Sequence, residues 1–262
     1  AMNDGRTPVH AASGMGHLPV VDRLLGAGAD PNTATNDGTT PVYIASQEGH
    51  LPVVDRLLGA GASASTARNG GATPVYIASQ YGHLPVVDRL LGAGASASPA
   101  KNSGGTPVYI ASLRGHLPVV DRLLGAGASA STATNSGMTP VYIASQQGYL
   151  AVVDRLLGAG ASASTANNAG GTPVWIASGM GHLLVVDRLL GAGASASTAT
   201  NDATTAVYIA SQAGHVAVVD RLLGAGASAS TATNDGRTPV WIASGMGHLP
   251  VVDRLLGAGA SA

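Results

Sequence analysis

The feature that most limits what this chain can become is a step of 33 residues. Thr-Pro-Val begins at Thr7, Thr40, Thr73, Thr106, Thr139, Thr172 and Thr238, and Thr205-Ala206-Val207 fills the one gap. Val-Val-Asp-Arg-Leu-Leu-Gly-Ala-Gly-Ala recurs in the same phase, from the copy at Val20 to the copy at Val251. A fixed period of this size means stacked supersecondary units, none of which can bury its apolar face alone. The chain reads as a single array over 1–262, with copies at about 2–34, 35–67, 68–100, 101–133, 134–166, 167–199, 200–232 and 233–262.

The second copy illustrates the expected unit. Thr40 is a good helix N-cap, and Pro41 follows at the first helical position, where its missing N–H costs nothing. Val42, Ile44 and Ala45 supply apolar positions for a short helix that Gly49 ends. His50-Leu51-Pro52 turns the chain into a second helix. There Val53, Val54, Leu57 and Leu58 recur at helical spacing and Gly59-Ala60-Gly61 forms the stop. The Ser-, Asn- and Gly-rich stretch from Ser63 to Ala72 reads as a loop or hairpin. Helices shorter than about 12–15 residues are marginal alone, so each must pack on its neighbour. A silk-like sheet reading of Gly-Ala-Gly-Ala-Ser fails because a helical Val/Leu pattern always precedes it and a turn always follows.

Thr-Pro-Val-His-Ala-Ala at Thr7 to Ala12, Gly-His-Leu at Gly16 to Leu18 and Gly-Ala-Asp-Pro-Asn at Gly28 to Asn32 resemble the ankyrin repeat. The resemblance covers essentially the whole chain. It implies an all-α, helix-turn-helix solenoid with short hairpin loops, and partner binding on a concave face lined by first helices and hairpin tips. Three departures stand out. Tyr or Trp replaces His10 in every later copy, as Tyr43, Tyr76, Tyr109, Tyr142, Trp175, Tyr208 and Trp241. Ser63 and Ser96 stand where the first copy has Asp30, which predicts less regular hairpins. The seventh copy carries Ala203 and Ala206 in place of a hairpin Gly and the helix Pro, which predicts the weakest internal unit.

The remaining residues argue against chemistry. There is no Cys, so neither a thiolate nucleophile nor a Cys-based zinc site can form. A His recurs in seven of the eight copies as His17, His50, His83, His116, His182, His215 and His248, with Tyr149 in the fifth. Neighbouring copies roughly 8–10 Å apart cannot bring two imidazoles onto one ion, so these are read as backbone-binding residues at the turn and no metal is expected. Each copy also has an adjacent Asp-Arg pair such as Asp55-Arg56, whose members cannot face each other on a helix. The expectation is a ladder, with Asp of one copy meeting Arg of the next. No Gly-rich loop ends in Gly-Lys-Ser/Thr, so no catalytic residue and no cofactor is expected. A net charge of −1 disfavours nucleic acid and membrane surfaces as partners.

In a strict repeat, the informative residues are those that vary at equivalent places. Variation gathers at the end of the first helix and in the hairpin tip. These places yield a candidate partner-binding set of Glu48, Arg68, Gln80, Tyr81, Lys101, Leu113, Arg114, Met138 and Gln147, with Tyr81 and Arg114 as anchors. The expected function is a non-catalytic protein-interaction scaffold for a protein partner. The competing reading is a spacer array with no dedicated site, cued by near-identical copies and only 10% charged residues. The last copy keeps Val251, Val252, Leu255 and Leu256 like an interior one, so an uncapped array that self-associates end to end is expected. Ala1-Met2 looks like an added remnant on a fragment, and Pro99, Tyr149, Leu184 and Val216 look like drift in a natural array rather than design. Lack of Cys and of a leader pattern fits an intracellular setting.

Overall fold

The computed structural model describes residues 3–261. Its contacts divide the chain into two compact units, Ala1–Asn135 and Ser136–Ala262. Among the described residues there are sixteen α-helices and no strand.

The first unit holds α1 (Pro8–Gly14), α2 (Leu18–Gly26), α3 (Pro41–Gln47), α4 (Leu51–Gly59), α5 (Pro74–Tyr81), α6 (Leu84–Gly92), α7 (Pro107–Arg114) and α8 (Leu117–Gly125). Odd-numbered helices pack side by side in one layer, even-numbered helices form the second layer, and each odd helix packs on the even one that follows it. The start signals act as expected. Thr40 is extended at the N-cap, and its Oγ1 accepts from the Tyr43 N–H at 3.2 Å, a geometry repeated at Thr73 and Thr106. At the end of α4, Gly61 and Ala62 donate back to the carbonyls of Leu58 and Leu57, both at 3.0 Å. Gly-Ala-Gly-Ala is thus a helix terminus, with orphan carbonyls satisfied by the turn that follows. Between the layers, Val53, Val54, Leu57, Val86, Val87 and Leu90 are at most 1% exposed. Complete burial of such side chains contributes about 1.5–3 kcal/mol each, which two helices of seven to nine residues could not obtain without a neighbour.

The second unit repeats the plan with α9 (Pro140–Gln147), α10 (Leu150–Gly158), α11 (Pro173–Gly179), α12 (Leu183–Gly191), α13 (Ala206–Ala213), α14 (Val216–Gly224), α15 (Pro239–Gly245) and α16 (Leu249–Gly257). Leu156, Leu189 and Leu222 are fully buried between its layers.

The hairpins are more regular than the loss of Asp30 suggested. In the first copy the Asn32 N–H donates to Asp30 Oδ1 at 2.9 Å. In later copies the Ser65 N–H donates to Ser63 Oγ at 3.2 Å, and Ser98 to Ser96 likewise. A serine hydroxyl closes the same two-residue turn as a carboxylate, only more weakly. Ala203, in the seventh copy, is the one non-glycine at positive φ, +61°, among the described residues.

Three ladders run within each unit. Arg56 pairs with Asp22, Arg89 with Asp55 and Arg122 with Asp88; Arg188, Arg221 and Arg254 pair with Asp154, Asp187 and Asp220. These are the copy-to-copy pairs expected from the Asp-Arg spacing. The histidines hydrogen-bond backbone, but across copies rather than within their own turn. His50 Nε2 meets the Gly14 carbonyl at 3.2 Å, His83 meets Gln47 at 3.0 Å and His182 meets Gln146 at 3.1 Å. The third ladder was not anticipated. Asn69 donates its N–H to the Asp37 carbonyl at 2.9 Å and its Nδ2 to the Asn36 carbonyl at 3.1 Å. Asn36, Asn102 and Asn135 do the same in the first unit, and Asn201 and Asn234 in the second.

Candidate functional site

Equal spacing and side-by-side packing set Glu48, Tyr81 and Arg114 in one row, at the ends of α3, α5 and α7 of the first unit. Each first helix stops here because a glycine follows. Gly82, for example, has φ +76° as the C-cap of α5. The residue before such a glycine stands at the exposed helix rim. Tyr81 is accordingly 49% exposed, whereas the aromatic one turn earlier in the same helix, Tyr76, is 4% exposed. The Tyr81 ring lies beside the His83 imidazole, 6.2 Å between centroids and 21° between planes. Arg114 is exposed and Leu113 half-buried. Glu48 is exposed and accepts from Gln47 Nε2 at 2.9 Å. Gln80 is half-buried, and its carbonyl is the one that His116 reaches at 3.2 Å.

The hairpin-tip cations are anchored. Arg68 Nη2 lies 2.6 Å from Asp37 Oδ2, and its guanidinium carbon sits 5.7 Å from the Tyr43 ring centre. Lys101 Nζ sits 5.5 Å from the Tyr76 ring centre. A hydrogen bond with Tyr43 raises the Arg68 pKa above its usual value. Asp37 is held down to about 2, first by the Thr35 hydroxyl and then by the Thr39 hydroxyl and N–H and by Arg68. Burial pushes the Tyr76 phenol up to about 12 and raises Tyr43 and Tyr109 in the same direction. None of these phenols can serve as a base near neutrality, and each remains a protonated packing residue.

An apolar cleft of about 710 Å³ also opens on the first unit, lined by Pro8, Ala11, Met15, Ile44 and Glu48 among others. Met15, in the same repeat position as Glu48, is 72% exposed. Sequence reasoning noted that position as variable but left Met15 out of the candidate set. Its sequence signal was a large apolar residue at an end-of-helix position that Met180 and Met246 share and that Glu48, Arg114 and Gln147 fill with polar side chains. Met138 and Gln147 belong to the second unit. Met138 is half-buried just before Thr139, and Gln147 is exposed as the last residue of α9. No group of three or more His, Asp or Glu side chains that could hold a metal occurs among the described residues. No helix among them is long and apolar enough to cross a membrane.

A family model described as ankyrin repeats (3 copies) matches residues 1–68, 51–134, 75–167, 109–200 and 174–262. The crystal structure of the human ASB11 ankyrin repeat domain superposes with a TM-score of 0.76 at 27% identity, over 83% of this chain and 97% of that one. No curated protein sequence matches the chain. The paired short helices, the Thr-Pro cap of each first helix and a family model matched from the first residue to the last lead to one assignment: the chain belongs to the ankyrin-repeat family.

Proposed function

We propose that the chain is a non-catalytic scaffold that binds a protein partner on the first-helix rim and hairpin tips of its first unit. Ankyrin repeats generally serve as protein-interaction modules and are typically non-catalytic. The observation that carries the finer reading is the half exposure of Tyr81 at the helix rim, in a helix whose other tyrosine, Tyr76, is buried. An aromatic beside an imidazole, with a guanidinium in the next copy along, is the composition of an interface anchor. Gln80, Leu113 and Glu48 surround it, Arg68 and Lys101 border it at the tips, and the cleft beside Met15 extends it. Met138 and Gln147 hold the same repeat positions as Gly105 and Arg114 and are proposed as contacts of the same kind in the second unit. The test is capture of partners from a source extract. Tyr81→Ala with Arg114→Ala should weaken capture by at least about tenfold, as loss of an interface anchor does; unchanged capture would overturn the site. A chain that captures nothing would be the spacer instead.

Self-association is a second reading with its own observation. Val20 is 48% exposed where its counterpart Val53 is 1%, and Trp241 is 54% exposed where Tyr208 is 7%. Interior copies cover these positions with a neighbour. In the 262-residue chain, a second copy offers residues of the same kind to cover them.

A further inference from the structure

We propose that a cavity in the second unit, between Asp202, Tyr208 and Thr233, takes the guanidinium group of an arginine side chain supplied by a partner protein. The proposal goes beyond the row around Tyr81 and does not depend on it. The first unit supplies the template. There the hairpin carboxylate Asp37 and the Tyr43 ring, both of the second copy, hold Arg68 from the third, with 2.6 Å to the carboxylate and 5.7 Å to the ring centre. Asp202 and Tyr208 are the same two residues 165 positions later, and the position of Arg68 is occupied by Thr233.

The local frames agree. The Thr39 N–H donates to Thr35 Oγ1 at 3.0 Å and to Asp37 Oδ1 at 3.2 Å; the Thr204 N–H donates to Thr200 Oγ1 at 3.0 Å and to Asp202 Oδ1 at 3.4 Å. Among the described residues, no cation pairs with Asp202. In place of the arginine there is a cavity of about 420 Å³, lined by these three residues together with Trp175, Asp235 and Arg237.

Charge and chemistry select the occupant. Asp202 is kept anionic first by the Thr200 hydroxyl, which lowers its pKa. Arg237 is already spent, 2.9 Å from Asp235 and 4.9 Å from the Trp241 ring centre. Two carboxylates against one guanidinium leave the lining with one net negative charge. Trp175 also lines the cavity and adds a second aromatic side chain to its wall. A planar guanidinium can donate to a carboxylate while lying over a ring, which an ammonium does less well. The first unit follows that rule: where the carboxylate is replaced by Gly70, the cation over the Tyr76 ring is Lys101.

The test uses the full chain and two probes, acetyl-Gly-Arg-Gly-amide and its lysine counterpart. Binding is followed by the Trp175 indole N–H resonance, assigned through Trp175→Phe. The arginine probe should shift this resonance saturably with a millimolar Kd, and the lysine probe should bind at least about fivefold more weakly. Asp202→Asn should weaken the arginine probe by about tenfold or more. Thr233→Arg should fill the cavity from within, abolish probe binding and leave the chain folded, as Arg68 does in the first unit. Absence of saturation, equal response to both probes, or undiminished binding by Thr233→Arg would each overturn the assignment. If Asp202→Asn unfolds the unit, Thr233→Arg decides alone.

Discussion

Ala203 and His10 are the two residues that depart most from their counterparts in other copies, and each has a measurable consequence. Ala203 occupies a left-handed conformation that its counterparts fill with glycine. Ala203→Gly should therefore raise the stability of the second unit by about 1 kcal/mol, and Ala206→Pro by about 0.4–1 kcal/mol, read as shifts in the urea midpoint. His10 is buried, accepts the Thr7 N–H at Nδ1 (3.2 Å) and donates from Nε2 to the Thr39 carbonyl at 3.0 Å, so its neutral form is the one that fits. Burial, the leading cause, lowers its pKa below 6.5. Above pH 6.5 both folded and unfolded imidazoles are neutral and the residue contributes no pH dependence. As pH falls through 6.5 the unfolded chain takes up the proton first, so the fold loses stability until the lower folded pKa is passed. Urea midpoints measured at pH 7.5 and 5.5 should fall on acidification, and His10→Tyr, the residue of the later copies, should reduce that fall. Both residues were legible as departures from the repeat. What Ser63 does was not, because a sequence gives no angle at which a hydroxyl replaces a carboxylate in a turn.

At the level of helices and turns, one lock between copies is a glycine packed on the imidazole of the next. A Cβ on Gly49 would come within 2.7 Å of the His83 ring, on a backbone already at φ +77°. Gly49→Ala should cost about 2–4 kcal/mol, combining the left-handed penalty with overpacking against a ring that backbone holds in place. Adding His83→Ala should return only the packing share, a separation that a double-mutant cycle measures. By contrast, the Arg89–Asp55 pair is exposed, at 36% and 49% for the two side chains. Reversing both charges should change stability by less than about 1 kcal/mol. Thr caps, Pro starts, Gly stops and the Val/Leu face made the helices readable from the sequence. The asparagine ladder was equally periodic at Asn3, Asn36, Asn69 and onward. It went unread because an asparagine between Ser, Thr and Gly looks like ordinary loop, and only the neighbouring tip reveals its second function.

For the whole chain, stability is a sum over neighbouring copies, and exposed terminal faces are the places where that sum is incomplete. Light scattering of the 262-residue chain should give a mass that rises with concentration into the millimolar range. Val20→Glu together with Trp241→Glu should return it to the monomer value. A strictly monomeric mass throughout would sink the end-to-end reading. The candidate row around Tyr81 was legible because strict repetition makes variable positions conspicuous. The exposure that separates Tyr81 from Tyr76 was visible only once the glycine-terminated helix rim was in view.

Every ladder bond described joins residues 32, 33, 34 or 36 positions apart, so within a unit each copy answers only to the next. Removing or inserting one whole copy would hand every survivor a partner with the same Asp-Arg pair and the same backbone acceptors as before. Array length is then a heritable variable that can change by whole copies without breaking register, each change adding or removing one interface from the sum, while a deletion of any other length would unzip arginine, asparagine and histidine registers together.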